Sequence, residues 1–339
     1  MRNLSMDALC EKIGNAVSKQ AISKYEKGES LPGSQILILL SQALDVKPDY
    51  FFRESQFAIS NIEFRKKAKM GVKEVEAIKE EIRDIIERYL EIEDVWGCVP
   101  SFANPVKEML VVSDDDVCEV VKRLKEAWNI GEDGILSVTD LLESKNIKVV
   151  EIKADSSFDG LSGYVNNDEN MPFVVVNKSF DVERLRFTGL HELGHLVMNL
   201  PEEMEKKDKE RLCNLFASEM LISRDIFVDV LGERRSDISL QELKVLQAVY
   251  GISVDALMFK AKTVGVISES KYTSFCIRKN KSLAFKDAVE RSSYRGVEES
   301  SRFDRLVYRA LASDMISCSK AAVLLNEPME EVKNKLELV

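Results

Sequence analysis

The chain of 339 residues contains two histidines, and they stand four apart in the run His191-Glu192-Leu193-Gly194-His195. On an α-helix, residues i and i+4 lie about 40° apart around the axis, one turn above the other. Both imidazoles can then reach one metal ion. Glu192 is turned about 100° from His191. It stands beside such an ion rather than on it, where a general base must be to take a proton from a metal-bound water. The pattern is short, yet two histidines would fall this way by accident only on the order of once in a thousand chains. The feature demands a helix at this point and a third ligand brought from elsewhere.

Composition narrows the setting. With 45% hydrophobic and 31% charged residues the chain has the profile of a globular protein, long enough for two or three domains. No run of 18 apolar residues exists, and Met-Arg-Asn-Leu-Ser-Met-Asp at the start lacks an apolar signal core. Six scattered cysteines form no CxxC pair, which fits reduced thiols rather than a disulfide framework. A cytoplasmic protein without membrane contact is expected. The net charge of −10 does not suit a whole-protein nucleic-acid binder, so any DNA contact must be local.

Periodicity divides the chain. Residues 1–53 hold short helical patterns: Ser5 to Ile13, then Ser18 to Gly28 after a tight turn, then Ser34 to Leu44. Residues 60–92 are a charged helical stretch with RKKAK at 65–69, read as a solvated linker helix. Residues 147–152, 163–165 and 172–177 read as strands. The motif helix is expected from about Asp181 to Asn199, and a second helix from Lys207 to Ile222. The rest is helical, with a further pair over residues 305–337; the helices around Gln241–Leu257 and Asp304–Leu336 look faintly helix-turn-helix-like but suit packing or partner binding better than reading bases.

A hydrolytic zinc site takes three protein ligands and keeps one position for water. With the histidines used up, Glu202, Glu203, Glu205, Glu210, Cys213 and Glu219 are the candidates for the third. The first three lie in a polar turn. Glu210 shares a helix face with Asn214 and Ala217, and Asn214 can hydrogen-bond its carboxylate. Glu219 is about 180° round from Glu210. Glu210 is the choice, with Cys213 the weaker alternative. Tyr164 could assist at a developing oxyanion, but an aromatic packed beside a strand is the commoner role.

The segment Arg186-Phe187-Thr188-Gly189-Leu190 before the HELGH run, with Glu210-Arg-Leu-Cys-Asn-Leu-Phe-Ala-Ser-Glu-Met-Leu after it, resembles the ImmA/IrrE family of zinc metallopeptidases. Phe158-Asp159-Gly160-Leu161-Ser162-Gly163-Tyr164 is similar to the family's strand region. The resemblance covers about residues 135–265. It implies His191, His195 and Glu210 as ligands of Zn2+, Glu192 as catalytic base, and helix-turn-helix repressors as substrates. The family's run usually ends in Met-Pro, where this chain has Met220-Leu221-Ile222-Ser223.

Residues 4–52 resemble the phage-repressor-like (XRE-type) helix-turn-helix domain, through Leu4-Ser5-Met6-Asp7-Ala8-Leu9 and Val17-Ser18-Lys19-Gln20-Ala21-Ile22-Ser23-Lys24-Tyr25-Glu26-Lys27-Gly28. The second helix of such motifs enters the major groove by its N-terminal end. Ser18, Lys19 and Gln20 would meet base edges, while Ser23, Lys24 and Lys27 would face groove or backbone. Ile22, Tyr25 and Glu26 are expected to face the core. The family's domain opens with a helix ahead of the Leu-Ser step, and here only three residues precede it. Seven Lys/Arg stand against six Asp/Glu in residues 1–53, so firm binding to an operator calls for a homodimer.

The expected fold is mainly α: an all-α helix-turn-helix domain at 1–54, a charged linker at 55–99, an α+β zincin-like peptidase domain at 100–268 and a helical region at 269–339. The expected function is a DNA-binding regulator with zinc endopeptidase activity toward a regulatory protein. The rival is a regulator or antitoxin-like protein whose peptidase-like domain senses or binds without cleaving.

Overall fold

The structure, a computed structural model, describes residues 4–44, 46, 48, 51, 59–60, 71–97, 101–166 and 168–336. The first three helices are α1 (Met6–Lys12), α2 (Lys19–Glu26) and α3 (Ser34–Leu44). Ser5 and Ser18 cap α1 and α2, each hydroxyl accepting from a backbone N–H three residues on, at 3.1 and 3.3 Å. Between them Gly14 and Asn15 take positive φ, which those two residue types tolerate best. Leu9, Cys10, Ile13, Ile22 and Leu40 form the small core of this unit.

The next elements are β1 (Ile59–Ser60), α4 (Val72–Val95), α5 (Asp114–Trp128), α6 (Val138–Ser144), β2 (Lys148–Ile152), β3 (Gly160–Val165), β4 (Pro172–Asn177), α7 (Val182–Val197) and α8 (Lys206–Leu221). The sheet order is β1-β3-β4-β2. β2 runs parallel to β4, and β3 runs antiparallel to both β4 and β1. Successive side chains of a strand point to opposite faces. Leu161, Val165, Phe173, Val175, Val150 and Ile152 therefore gather on one face with Ile78, Ile82, Ile86 and Leu90 of α4. Val149, Val174 and Val176 point the other way, into the core shared with α7 and α8. The sheet is thus held between α4 and α7, and Gly160, Ser162 and Tyr164 are left on the α7 side.

The charged stretch is not a solvated linker. Ile78, Ile82, Ile86 and Leu90 recur every four residues and seal one face of the sheet, while Glu74, Glu76, Lys79, Glu80, Glu81, Glu87 and Glu91 lie on the remaining, partly or fully exposed surface of α4. Farther along α4, Ile92 joins a second core with α14 (Arg302–Ala312), α15 (Cys318–Leu324) and α16 (Met329–Leu336). Glu93 pairs with Lys148 at 3.0 Å and with Arg302 at 2.8 Å, tying α4 to β2 and α14. The basic run 65–69 lies outside the described residues.

Helices α9 (Arg224–Leu231), α10 (Leu240–Tyr250), α11 (Val254–Thr263), α12 (Glu269–Lys281) and α13 (Leu283–Glu290) complete the main core. Phe275 of α12 and Val289 of α13 are buried in it, so packing does not break at 268/269. Among the described residues no helix is long and apolar enough to cross a membrane. Ile82 is wholly buried, and Ile82→Ala should cost about 2–5 kcal/mol in a denaturant titration. A solvated helix would lose under about 0.5 kcal/mol at such a position, so a loss that small would refute the packing of α4.

Candidate functional site

Helix α7 is buried along most of its length, which is unusual for a helix carrying two imidazoles and two carboxylates. Two glycines let its neighbours come close. A Cβ on Gly194 would stand 3.2 Å from Phe216 of α8, and one on Gly160 would stand 2.6 Å from Thr188 of α7 and 2.7 Å from the Val175 carbonyl of β4. The HELGH residues are therefore pressed between the sheet and α8.

His191 Nδ1 lies 3.0 Å from Asn214 Oδ1. An amide oxygen only accepts, so Nδ1 carries the proton and Nε2 keeps its lone pair. His195 Nε2 is 3.2 Å from His191 Nε2. The Glu210 carboxylate lies 3.4 Å from His191 Nε2 and 3.6 Å from His195 Nε2. Zinc–nitrogen bonds of 2.0–2.1 Å in a tetrahedron set ligand atoms roughly 3.3 Å apart. The triangle of His191, His195 and Glu210 matches that spacing, and among the described residues it is the one group of His, Cys, Asp and Glu side chains close enough to hold a metal ion.

The other candidates lie apart. Glu202, Glu203 and Glu205 are exposed on the turn before α8. Cys213 is buried in the main core. Glu219 pairs with Lys260 and accepts from the Arg224 N–H at 2.7 Å. Asn214 meets His191 rather than the Glu210 carboxylate it was expected to support.

Glu192 is buried, and Ser162 Oγ of β3 donates to its Oε2 at 2.8 Å. Sequence spacing gives no sign of this bond, because Ser162 is 30 residues away. Tyr164, two residues along β3, donates its hydroxyl to the Leu196 carbonyl at 3.1 Å and ties the strand to the last turn of α7. Burial raises the pKa of that phenol, which keeps it a donor. Beside His195 a groove of about 490 Å³ runs between Tyr164, Asn104, Lys107 and Asn170.

In the N-terminal unit, Ser18 at the N-cap of α2, Lys19, Gln20 and Lys24 on α2, and Lys27 just after it are exposed, and Ser23 is half-buried. Lys19 pairs with Asp7 of α1 at 2.6 Å. Ile22 is buried and Tyr25 half-buried, whereas Glu26 is exposed and does not face the core. One turn of helix past Ile22 carries position 26 to the rim of the small core, where a carboxylate stays hydrated.

Residues 1–51 match the helix-turn-helix family model, and residues 142–262 match the IrrE N-terminal-like domain. The chain thus carries a helix-turn-helix segment at its N-terminal end and an IrrE-like domain farther on. A curated relative, described as an uncharacterized HTH-type transcriptional regulator of Sinorhizobium fredii, is 45% identical over 53 residues. That stretch is 16% of this chain and 36% of the relative, so the chain spans about a third of the relative's length.

The IrrE-like domain is braced by residues beyond its matched range. Arg186, wholly buried on α7, donates to the carbonyls of Ile135 at 2.6 Å and Tyr250 at 3.3 Å and to the Tyr294 hydroxyl at 2.8 Å. It also pairs with Glu298, which accepts from the backbone N–H groups of Val138 and Thr139 at the start of α6. Gly251 passes so close that a Cβ would lie 2.4 Å from Arg186 Nε, and its φ is +60°. On the other side of α7, Gly160→Ala should lower stability by about 1–3 kcal/mol through overpacking. A parent-like denaturation midpoint would mean that β3 and α7 do not touch.

Proposed function

We propose that the protein is a cytoplasmic, DNA-binding regulator with zinc-dependent endopeptidase activity toward a regulatory protein, such as a helix-turn-helix repressor. The observation that carries this reading is the convergence of His191, His195 and Glu210 at tetrahedral spacing. Two neutral imidazoles and a carboxylate are the donor set of hydrolytic zinc sites. Asn214 fixes the tautomer of His191, and such outer partners raise both ligand basicity and metal affinity.

When bound, zinc would acidify a water toward a pKa of about 7 and polarise a peptide carbonyl. Glu192 is the proton carrier. Its carboxylate is buried and steadied by Ser162, so it can take the water's proton and release it to the departing amine. Tyr164 shapes the groove beside His195 and holds β3 in register with α7. An extended peptide fits that groove, with Lys107 and Asn104 at its polar wall.

Purified protein should hold about one zinc per chain, and His195→Ala should lose it. Glu192→Gln should keep the metal but cut cleavage of a co-expressed helix-turn-helix repressor by about 10²–10⁴-fold. Equal cleavage by Glu192→Gln would sink the peptidase reading; metal bound with no cleavage by the parent would favour a sensor that binds without cutting.

For the N-terminal domain, Ser18, Lys19, Gln20, Ser23, Lys24 and Lys27 form the DNA-facing set, with a homodimer supplying two half-sites. Lys19 is the weakest member, because its ammonium is shared with Asp7. Gln20→Ala combined with Lys24→Ala should weaken binding at least about tenfold to genomic fragments selected by the parent protein. Unchanged affinity in a gel-shift titration would remove this face from DNA contact.

A further inference from the structure

The corner where α12 ends and α13 begins reverses the charge of the chain as a whole, and it lies beyond the matched IrrE-like range. Residues 270–286 hold five cations, Lys271, Arg278, Lys279, Lys281 and Lys286, and no Asp or Glu, in a protein whose formal net charge is −10. Two of the five are used within the fold. Lys271 pairs with Asp237, and Lys279 pairs with Asp255 at 2.7 Å and with Glu290 at 3.1 Å. The Glu290 pair, with Phe275 packed edge to face on Phe285, folds α13 back against α12. Arg278, Lys281 and Lys286 remain exposed, and among the described residues none of the three is held in an ion pair. They gather at one corner. Arg278 and Lys281 are three apart, on one face of α12, and the Arg278 guanidinium lies 4.0 Å from the centre of the Phe285 ring, next in sequence to Lys286.

Helix electrostatics accounts for part of this pattern, since cations suit the last turn of α12. It does not account for Lys286, which stands in the first turn of α13, where the dipole favours an acid and none is present. Like charges gathered without counter-charges repel one another, and a polyanion relieves that repulsion. We propose that this corner is a second nucleic-acid contact: it grips the phosphate backbone of duplex DNA beside the sequence bound by the helix-turn-helix segment. This rests on the DNA-binding reading above and assigns part of the affinity to the far end of the chain. The N-terminal unit, with seven Lys/Arg against six Asp/Glu in residues 1–53, supplies little net charge of its own. Phosphate contacts add affinity without adding sequence preference. Ile277 and Leu283 are exposed beside the cations. Two scattered side chains fall short of the continuous apolar face that seats a helix in a lipid surface, which favours DNA over a membrane.

The test titrates the full chain against two duplexes of equal length, one selected by the parent protein from genomic fragments and one of scrambled sequence. Arg278→Gln, Lys281→Gln and Lys286→Gln together should weaken binding to both at least about tenfold at low salt. The slope of log affinity against log salt should flatten by about two to three, since each phosphate contact contributes about 0.9. A control removes the same charge from exposed lysines elsewhere: Lys122→Gln, Lys153→Gln and Lys178→Gln. It should change affinity less than about twofold and keep the slope. Lys281→Glu with Lys286→Glu alters two exposed side chains only, and should reproduce the loss even if replacing Arg278 unsettles the hairpin. Equal losses in the corner variant and the control, or an unchanged salt slope, would overturn the proposal. So would unchanged DNA affinity with lost sedimentation on phosphatidylglycerol vesicles, which would make a membrane surface the partner. The two DNA readings separate through Gln20→Ala with Lys24→Ala. If that variant keeps the preference for the selected duplex while the corner variant loses affinity, the N-terminal face fails and the corner stands. A parent protein that binds neither duplex overturns both.

Discussion

The IrrE-like domain depends on one crowded contact: α7 lies against β3 and α8 with no space for a side chain at Gly160 or Gly194. That closeness brings Ser162 within hydrogen-bonding distance of Glu192, and Asn214 within reach of His191. A helix a methyl group farther out would lose both bonds. Its imidazoles would then rotate among rotamers instead of converging on Glu210. Catalytic constellations need supports fixed to within about half an ångström, and a close-packed interior is the physical means of fixing them.

Polar groups buried to this degree are costly unless partnered, and the domain partners them in an ordered way. Arg186 meets backbone carbonyls from the loop before α6 and from the end of α10, and a carboxylate from the segment between α13 and α14. Glu298 in turn satisfies the first N–H groups of α6. The effect is to lock the N-terminal half of α7 from the side opposite the candidate metal centre. Glu93, Lys148 and Arg302 repeat the device on α4. The residues after the matched domain are thus part of its scaffold, since they supply the partners that α6 and α7 require.

Much of this was legible in the chain. The helix-turn-helix unit announces itself by its serine caps and its Gly14-Asn15 turn, and the motif helix by the His-Glu-x-x-His spacing. Local hydrogen bonding and helical period set such features, so few distant contacts are needed to read them. The burial of α4 was hidden, because its charges outnumber its apolar residues while the apolar ones keep the four-residue spacing. A charge count averages over the helix surface, whereas packing selects one face.

The sequence by itself determined the candidate ligand types and the helices that carry them: two imidazoles one turn apart, a glutamate between them, and acidic residues on the following helix. Which acidic residue approaches the imidazoles, and which neighbours orient them, was decided by the tertiary structure. Glu210 and Glu219 are nine positions apart on one helix, but one faces the histidines and the other is paired with Lys260. Ser162 and Glu192 are related only through the meeting of a strand and a helix. Residue types and short spacings specify local geometry, while rotation of one element against another is fixed by how side-chain volumes fit together. That fit depends on the whole core at once.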